Sequence, residues 1–169
     1  MKLFKLKLEL CLFMFFLWLG NTVIWAVEPE KIYQKLNSLF FTENVVEVLK
    51  MWGKPVFEEN GIPYWQWEGG ILCCIVEKGQ AEVASYTETA DSIDVMDSRL
   101  LAKYRRFKKS FASILKMKGV EMDANLEMNN QPIKGLTTMW KKDNLQFGWI
   151  CFYNKHFQNT ALQLIIRRQ

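Results

Sequence analysis

Between Ile62 and Thr87 the chain alternates strand-forming runs with glycine-bearing turns, and this pattern restricts the fold more than any other stretch. Ile62 to Glu68 is rich in aromatics, and Gly69-Gly70 is a strong hairpin signal. Ile71 to Glu77 is apolar on both faces until its last residue, the pattern of a central or doubly covered strand. Lys78-Gly79-Gln80 then turns the chain into Ala81 to Thr87. The expectation is a three-stranded antiparallel meander.

Helical signals precede it. Pro29 sits where a helix gives up an amide that would be unpaired anyway, and Ile32, Leu36, Leu39 and Phe40 recur at helical spacing behind it. Thr42 is placed to cap a second short helix lined by Val45, Val46, Leu49 and Trp52, which Gly53 and Pro55 should end. Further on, Leu100, Tyr104, Phe107, Phe111, Ile114 and Leu115 form an apolar stripe along a helix closing at Gly119, with Asp97 or Ser98 at its start. A polar linker through Pro132 leads to three more strands, Leu136 to Lys141, Leu145 to Tyr153 and Thr160 to Arg167. The fold class expected is therefore α+β: a helix or helical hairpin plus an antiparallel three-stranded meander, an arrangement that the second half of the chain repeats. The alternative is one α+β domain with a single continuous sheet.

The first 26 residues bear on location. Lys2, Lys5 and Lys7 lead a wholly apolar run from Leu10 to Leu19, and Ile24-Trp25-Ala26 offers a cleavage site with a small last residue. We expect an export signal over 1–26, a first helix-plus-meander unit over 27–90, and the basic helix with a second meander over 91–169. The mature protein is then periplasmic or extracellular, and a retained N-terminal membrane anchor is the alternative. The signal's three Lys and Glu9 carry half of the chain's formal charge of +4, so the folded body is only weakly basic. Such a diffuse charge excludes a strong case for nucleic acid.

Three cysteines follow the signal. Cys73 and Cys74 are adjacent and would point to opposite faces of a strand, so at most one shares a face with Cys151. Both a disulfide to Cys151 and three buried thiols are compatible with this spacing. Cys11 is preceded by Leu8-Glu9-Leu10, which does not suit a lipid-attachment site.

Catalytic signals are weak. His156 is the only histidine and stands in a turn beside Lys155, with no local nucleophile or orienting carboxylate. Asp91, Asp94 and Asp97 are spaced by three, but the stretch lacks the Gly and terminal Glu of a calcium loop and abuts a basic helix whose start its acids complement. One His and a Cys pair make no zinc framework. No catalytic residue, cofactor or metal is expected. The surface features are the cations of the basic helix, Arg105, Arg106 and Lys109 among them, and the tryptophans. Trp65 and Trp67 share one strand face, while Trp140 and Trp149 lie in the later strands. Rings of this kind build cores and also dominate interfaces.

The helix end VVEVLKMWGKPV, the segment ENGIPYWQWEGG and the apolar strand ILCCIV resemble the small envelope proteins of the SmpA/OmlA type and the related β-lactamase-inhibitor-like fold. In those families a short helix pair ends at Leu-Gly-x-Pro before a hairpin bearing aromatics. Here Lys50, Met51 and Trp52 stand between Leu49 and Gly53-Lys54-Pro55, and the lipid-attachment cysteine of the assembly lipoproteins is missing. The resemblance spans Ile32 to Thr87. It implies that Trp65, Trp67, Trp140 and Trp149 are candidates to engage a target on a sheet. The function expected is that of an exported, non-catalytic protein that binds another protein, as an inhibitor, immunity factor or envelope accessory. The alternatives are a membrane-associated periplasmic structural factor, touching an anionic membrane surface, and an uncharacterised hydrolase.

Overall fold

The computed structural model describes residues 27–90, 98–123, 126–128, 131–133, 135–154 and 159–169. The expected signal, Asp91, Asp94, Asp97 and His156 lie outside the described residues. Helix α1 (Pro29–Asn37) and helix α2 (Val45–Met51) precede strands β1 (Phe57–Glu59), β2 (Ile62–Trp67), β3 (Gly70–Glu77) and β4 (Gln80–Ala90). Helix α3 (Ser98–Leu115) is followed by β5 (Val120–Asp123), β6 (Leu126–Met128), β7 (Gln131–Ile133), β8 (Gly135–Lys142), β9 (Leu145–Asn154) and β10 (Asn159–Arg168).

The turns explain the register. Asn60-Gly61, Glu68-Gly69 and Lys78-Gly79 each place two consecutive residues at positive φ, the backbone of the tight hairpin turn whose twist matches its strands. The first two join β1 to β2 and β2 to β3, and the third joins β3 to β4. Helix α1 opens at Pro29, as its missing amide suits, and buries Ile32 and Leu36. The cap of α2 is Asn44 rather than Thr42: its side chain accepts a hydrogen bond from the Glu47 amide at 3.2 Å, and Thr42 accepts from the Asn44 amide at 3.2 Å.

The expected fold class of helix plus three-stranded meander, repeated, is corrected by the pairing of β4 with β10. An antiparallel register from Thr160 opposite Ala90 to Arg167 opposite Val83 fuses both halves into one eight-stranded sheet, ordered β1-β2-β3-β4-β10-β9-β8-β5. The reason is reach. Strand β4 runs to Ala90, three residues beyond the expected Thr87, and nearly every one of its side chains is buried, so its outer edge needs a ladder partner. The expected linker before Pro132 instead contains the edge strand β5, paired with β8, and the small β6–β7 ladder.

The two sheet faces differ. One takes the apolar sides of all three helices against Trp65, Leu72, Cys74, Tyr86, Phe147, Trp149, Leu164 and their neighbours. The other gathers Ile62, Tyr64, Ile71, Cys73, Ile75, Ile150, Phe152, Ala161 and Ile165 into a second cluster, and none of the described helices contributes to it. Cys73 and Cys74 do fall on opposite faces, and all three cysteines in the described chain are buried thiols. Strands β4 and β10 stand between Cys74 and Cys151, and the row of Cys74 meets β9 at Phe147, four residues from Cys151, a separation of roughly 20 Å at ordinary strand spacing. Burial pushes the Cys151 thiol up to about 12, which keeps it protonated and inert.

Candidate functional site: the helix-bearing face

Helix α3 lies on the sheet through Leu100, Tyr104, Phe107, Phe111 and Leu115, spaced at three or four residues along one stripe. Phe107 stacks on Trp149 with ring centroids 4.7 Å apart and planes at 12°, and Tyr104 stacks on the same indole at 6.3 Å. Phe111 packs at 6.1 Å from both Trp140 and Trp149. The Trp149 indole N–H donates to the Tyr104 carbonyl at 3.2 Å, and the Tyr104 hydroxyl lies 2.7 Å from Thr138 Oγ1. Burial raises Tyr104 to about 12 despite the opposing effect of its bond to Thr138. Trp140 and Trp149 are thus spent on the core, at 2% and 1% exposure.

Trp65 is buried too, donating its indole N–H to the Gly53 carbonyl at 3.0 Å and meeting Trp52 edge-on at 5.3 Å. Trp67 alone of the four candidate tryptophans stays half-exposed. The Lys35 ammonium lies between it and Trp52, 5.7 Å and 5.0 Å from the two rings. Burial lowers the Lys35 pKa. This Trp52–Lys35–Trp67 cluster was not predicted from the sequence, because its members come from α1, the end of α2 and β2, and no local spacing links them.

Beside it, Glu88 is buried on β4 and carries two partners. The Tyr86 hydroxyl donates to its Oε1 at 2.8 Å, and Lys103 of α3 forms an ion pair with its Oε2. Burial first, and then the Glu88 charge, raise the Tyr86 pKa, so this hydroxyl is a hydrogen-bond donor and not a nucleophile. Tyr86 also fits because Gly70 has no side chain: a Cβ there would come within 2.5 Å of the ring. On its other flank α3 pairs Lys108 with Glu121 of β5, and this ion pair with its hydrogen bond lowers the Glu121 pKa. Lys103 and Lys108 therefore act as struts from the helix to the two sides of the sheet.

Arg105, Arg106 and Lys109 are left exposed on the outer side of α3, with no ion-pair partner among the described residues. Arg105 and Lys109 are one turn apart on the flank nearest β5, where Arg105 also acts on Glu121 at longer range. Strand β5 ends the sheet, and Val120 and Met122 on it are 64% and 49% exposed. The structure thus brings the basic candidates together on α3, places Trp67 elsewhere on the same face, and withdraws Trp65, Trp140 and Trp149 into the core. Among the described residues no group of three or more His, Cys, Asp or Glu is arranged to hold a metal ion, and no helix is long and apolar enough to cross a membrane. Comparison with protein-family models, curated proteins and solved structures finds no match to this chain.

Proposed function

We propose that this chain is an exported, non-catalytic protein that binds another protein through the outer side of α3. The observation that carries the reading is the division of labour among its cations. Lys103 and Lys108 are tied to Glu88 and Glu121, whereas Arg105, Arg106 and Lys109 project without such partners among the described residues. A fixed basic surface on a rigid, aromatic-packed helix orients an acidic partner and speeds its encounter. The neighbouring edge of β5, with Val120 and Met122 exposed, adds apolar contact area of the kind an interface centre uses. Export is supported by the basic lead and apolar run of residues 1–26.

Affinity capture by the full chain from envelope and secreted fractions tests this, with the Arg105→Glu/Arg106→Glu/Lys109→Glu variant as the comparison. The expected outcome is a stoichiometric partner that elutes as salt is raised and is lost in the variant, while the thermal midpoint of the variant changes by no more than a few degrees. Equal capture by both proteins removes α3 from the interface. Sedimentation with anionic vesicles, abolished by the same variant and without a protein partner, would instead assign the basic side to a membrane surface.

A further inference from the structure

The sheet does not close on itself: it ends at β1 on one side and at β5 on the other, and each end strand has a neighbour on one edge only. The outer edge of each therefore presents backbone N–H and C=O groups without a ladder partner in the sheet. Natural edges are commonly guarded by a Lys, a Pro or a bulge within the strand. Strand β5 has none of these, and Val120, Glu121 and Met122 are all exposed along it. Strand β1 has none within Phe57–Glu59, and Val56 just before it is 46% exposed.

The two ends are opposite in charge. Glu58 and Glu59 of β1 have no ion-pair partner among the described residues, and Glu59 Oε2 is buried without a hydrogen-bond partner. At β5 the one acid described in detail, Glu121, is taken by Lys108, while Arg105 and Lys118 also act on it and Lys109 stands one turn from Arg105. A two-fold contact of β5 with β5 would set these cations against their copies, and β1 with β1 would do the same to the acids. Only β1 against β5 joins unlike charges.

Direction and face agree with that pairing. All neighbours in the sheet are antiparallel and the strands number eight, so the end strands run in opposite directions. A copy translated beyond β5 thus continues the sheet antiparallel, with its helices on the same side. Phe57 stands opposite Tyr64 on the face away from the helices, and Val120 belongs to that face through Met139, Gly148 and Ile165. Matching of faces leaves registers that differ by two residues. One sets Glu121 opposite Glu58, which like charge disfavours. Its neighbour sets Val120 opposite Phe57 and Lys118 opposite Glu59, giving the buried carboxylate a cation.

We propose that the protein associates with a second copy of itself edge to edge, β1 of one copy pairing antiparallel with β5 of the next, so that the sheet continues head to tail. The ladder is only a few residues long, which places the contact among small, reversible interfaces of less than about 1,200 Å². The inference stands apart from the partner of α3, since Glu58 lies at the opposite end of the sheet.

Sedimentation velocity over a range of concentrations tests it, using the chain as the producing cell processes it. Wild type should form dimers and then larger species as concentration rises, because a head-to-tail dimer keeps one free edge of each kind. Val120→Asp spoils the β5 edge and Glu58→Lys spoils the β1 edge, and each alone should weaken association about tenfold or more. Mixed, the two variants should give one-to-one dimers that grow no further, since one retains a working β1 and the other a working β5. Both positions are exposed, so unchanged thermal midpoints are expected. Lys118→Glu, outside the strand, replaces Val120→Asp should that variant melt early. Glu58→Lys should leave capture of the α3 partner intact, which separates the two surfaces. A wild type that stays monomeric throughout, variants that associate like wild type, or a mixture of folded variants that forms no dimer overturns the proposal.

Discussion

At the scale of single residues, the contact that most repays attention is the ion pair between Lys103 and Glu88. Their side chains are only 12% and 8% exposed, so water screens them little. Replacing Lys103 by Met strands a carboxylate in the core with the Tyr86 hydroxyl as its remaining partner among the described residues. The expected loss is about 3 kcal/mol of unfolding free energy, since breaking one partner of a buried pair leaves an uncompensated charge. Lys103→Met/Glu88→Gln should recover most of it, because the neutral amide still accepts from Tyr86. Urea denaturation of the three proteins reads this directly. A Lys103→Met loss below about 0.5 kcal/mol would place the pair with surface salt bridges of small value. Little of this was legible beforehand. Glu88 reads in sequence as the first of a series of acids preceding a basic helix, and only the fold shows that it faces inward fifteen residues from its partner.

At the scale of elements, α3 shows what periodicity can and cannot reveal. The stripe of Leu100, Tyr104, Phe107, Phe111 and Leu115 was readable because each lies three or four residues from the next, and all five are buried. What the stripe packs against was not readable, since Trp140 and Trp149 are non-local. Phe107 stacked on Trp149 is the centre of that contact. Phe107→Ala should cost about 3–5 kcal/mol through lost burial and the cavity left above the indole, while Arg106→Ala, exposed one residue away, should stay within about 0.5 kcal/mol. Chemical denaturation of both variants checks the contrast, and similar losses would mean that α3 is held chiefly by its polar struts. The β2–β3 and β3–β4 hairpins were legible for a related reason, because Gly69 and Gly79 in the second turn position announce the positive φ required there, whereas β1 and its hairpin at Asn60-Gly61 were not expected. Strand β5 was missed because Val120 to Asp123 is four residues with no turn glycine, and its exposed Val120 and Met122 reveal no buried face.

At the scale of the whole molecule, the question is whether the two halves fold as one. Sequence periodicity finds strands but is silent on which edges meet, so a pair of meanders and one joined sheet look alike until β4 is seen to pair with β10. That seam is extensive, running through eight consecutive register positions with Leu164 opposite Tyr86 at its middle. It is reinforced from both ends of the chain. Arg168 of β10 donates to the Ala81 carbonyl at 3.3 Å and to the Phe40 carbonyl at 3.4 Å, and α3 is strutted to β4 on one flank and β5 on the other. Separating the halves would expose the central apolar rows of both faces together, so no intermediate with one half intact is favoured. Native-state hydrogen exchange should therefore find the amides of β4 and β10 opening only with global unfolding, in the same free-energy class for both strands. Amides of the short edge strands β1 and β5 should exchange through local fraying at far lower cost. If β2–β4 and β8–β10 instead opened in two classes separated by more than about 2 kcal/mol, the seam would be a docking contact between two domains. Cooperative opening would mean that the basic side of α3 and the opposite apolar face are held in fixed relation by a single sheet.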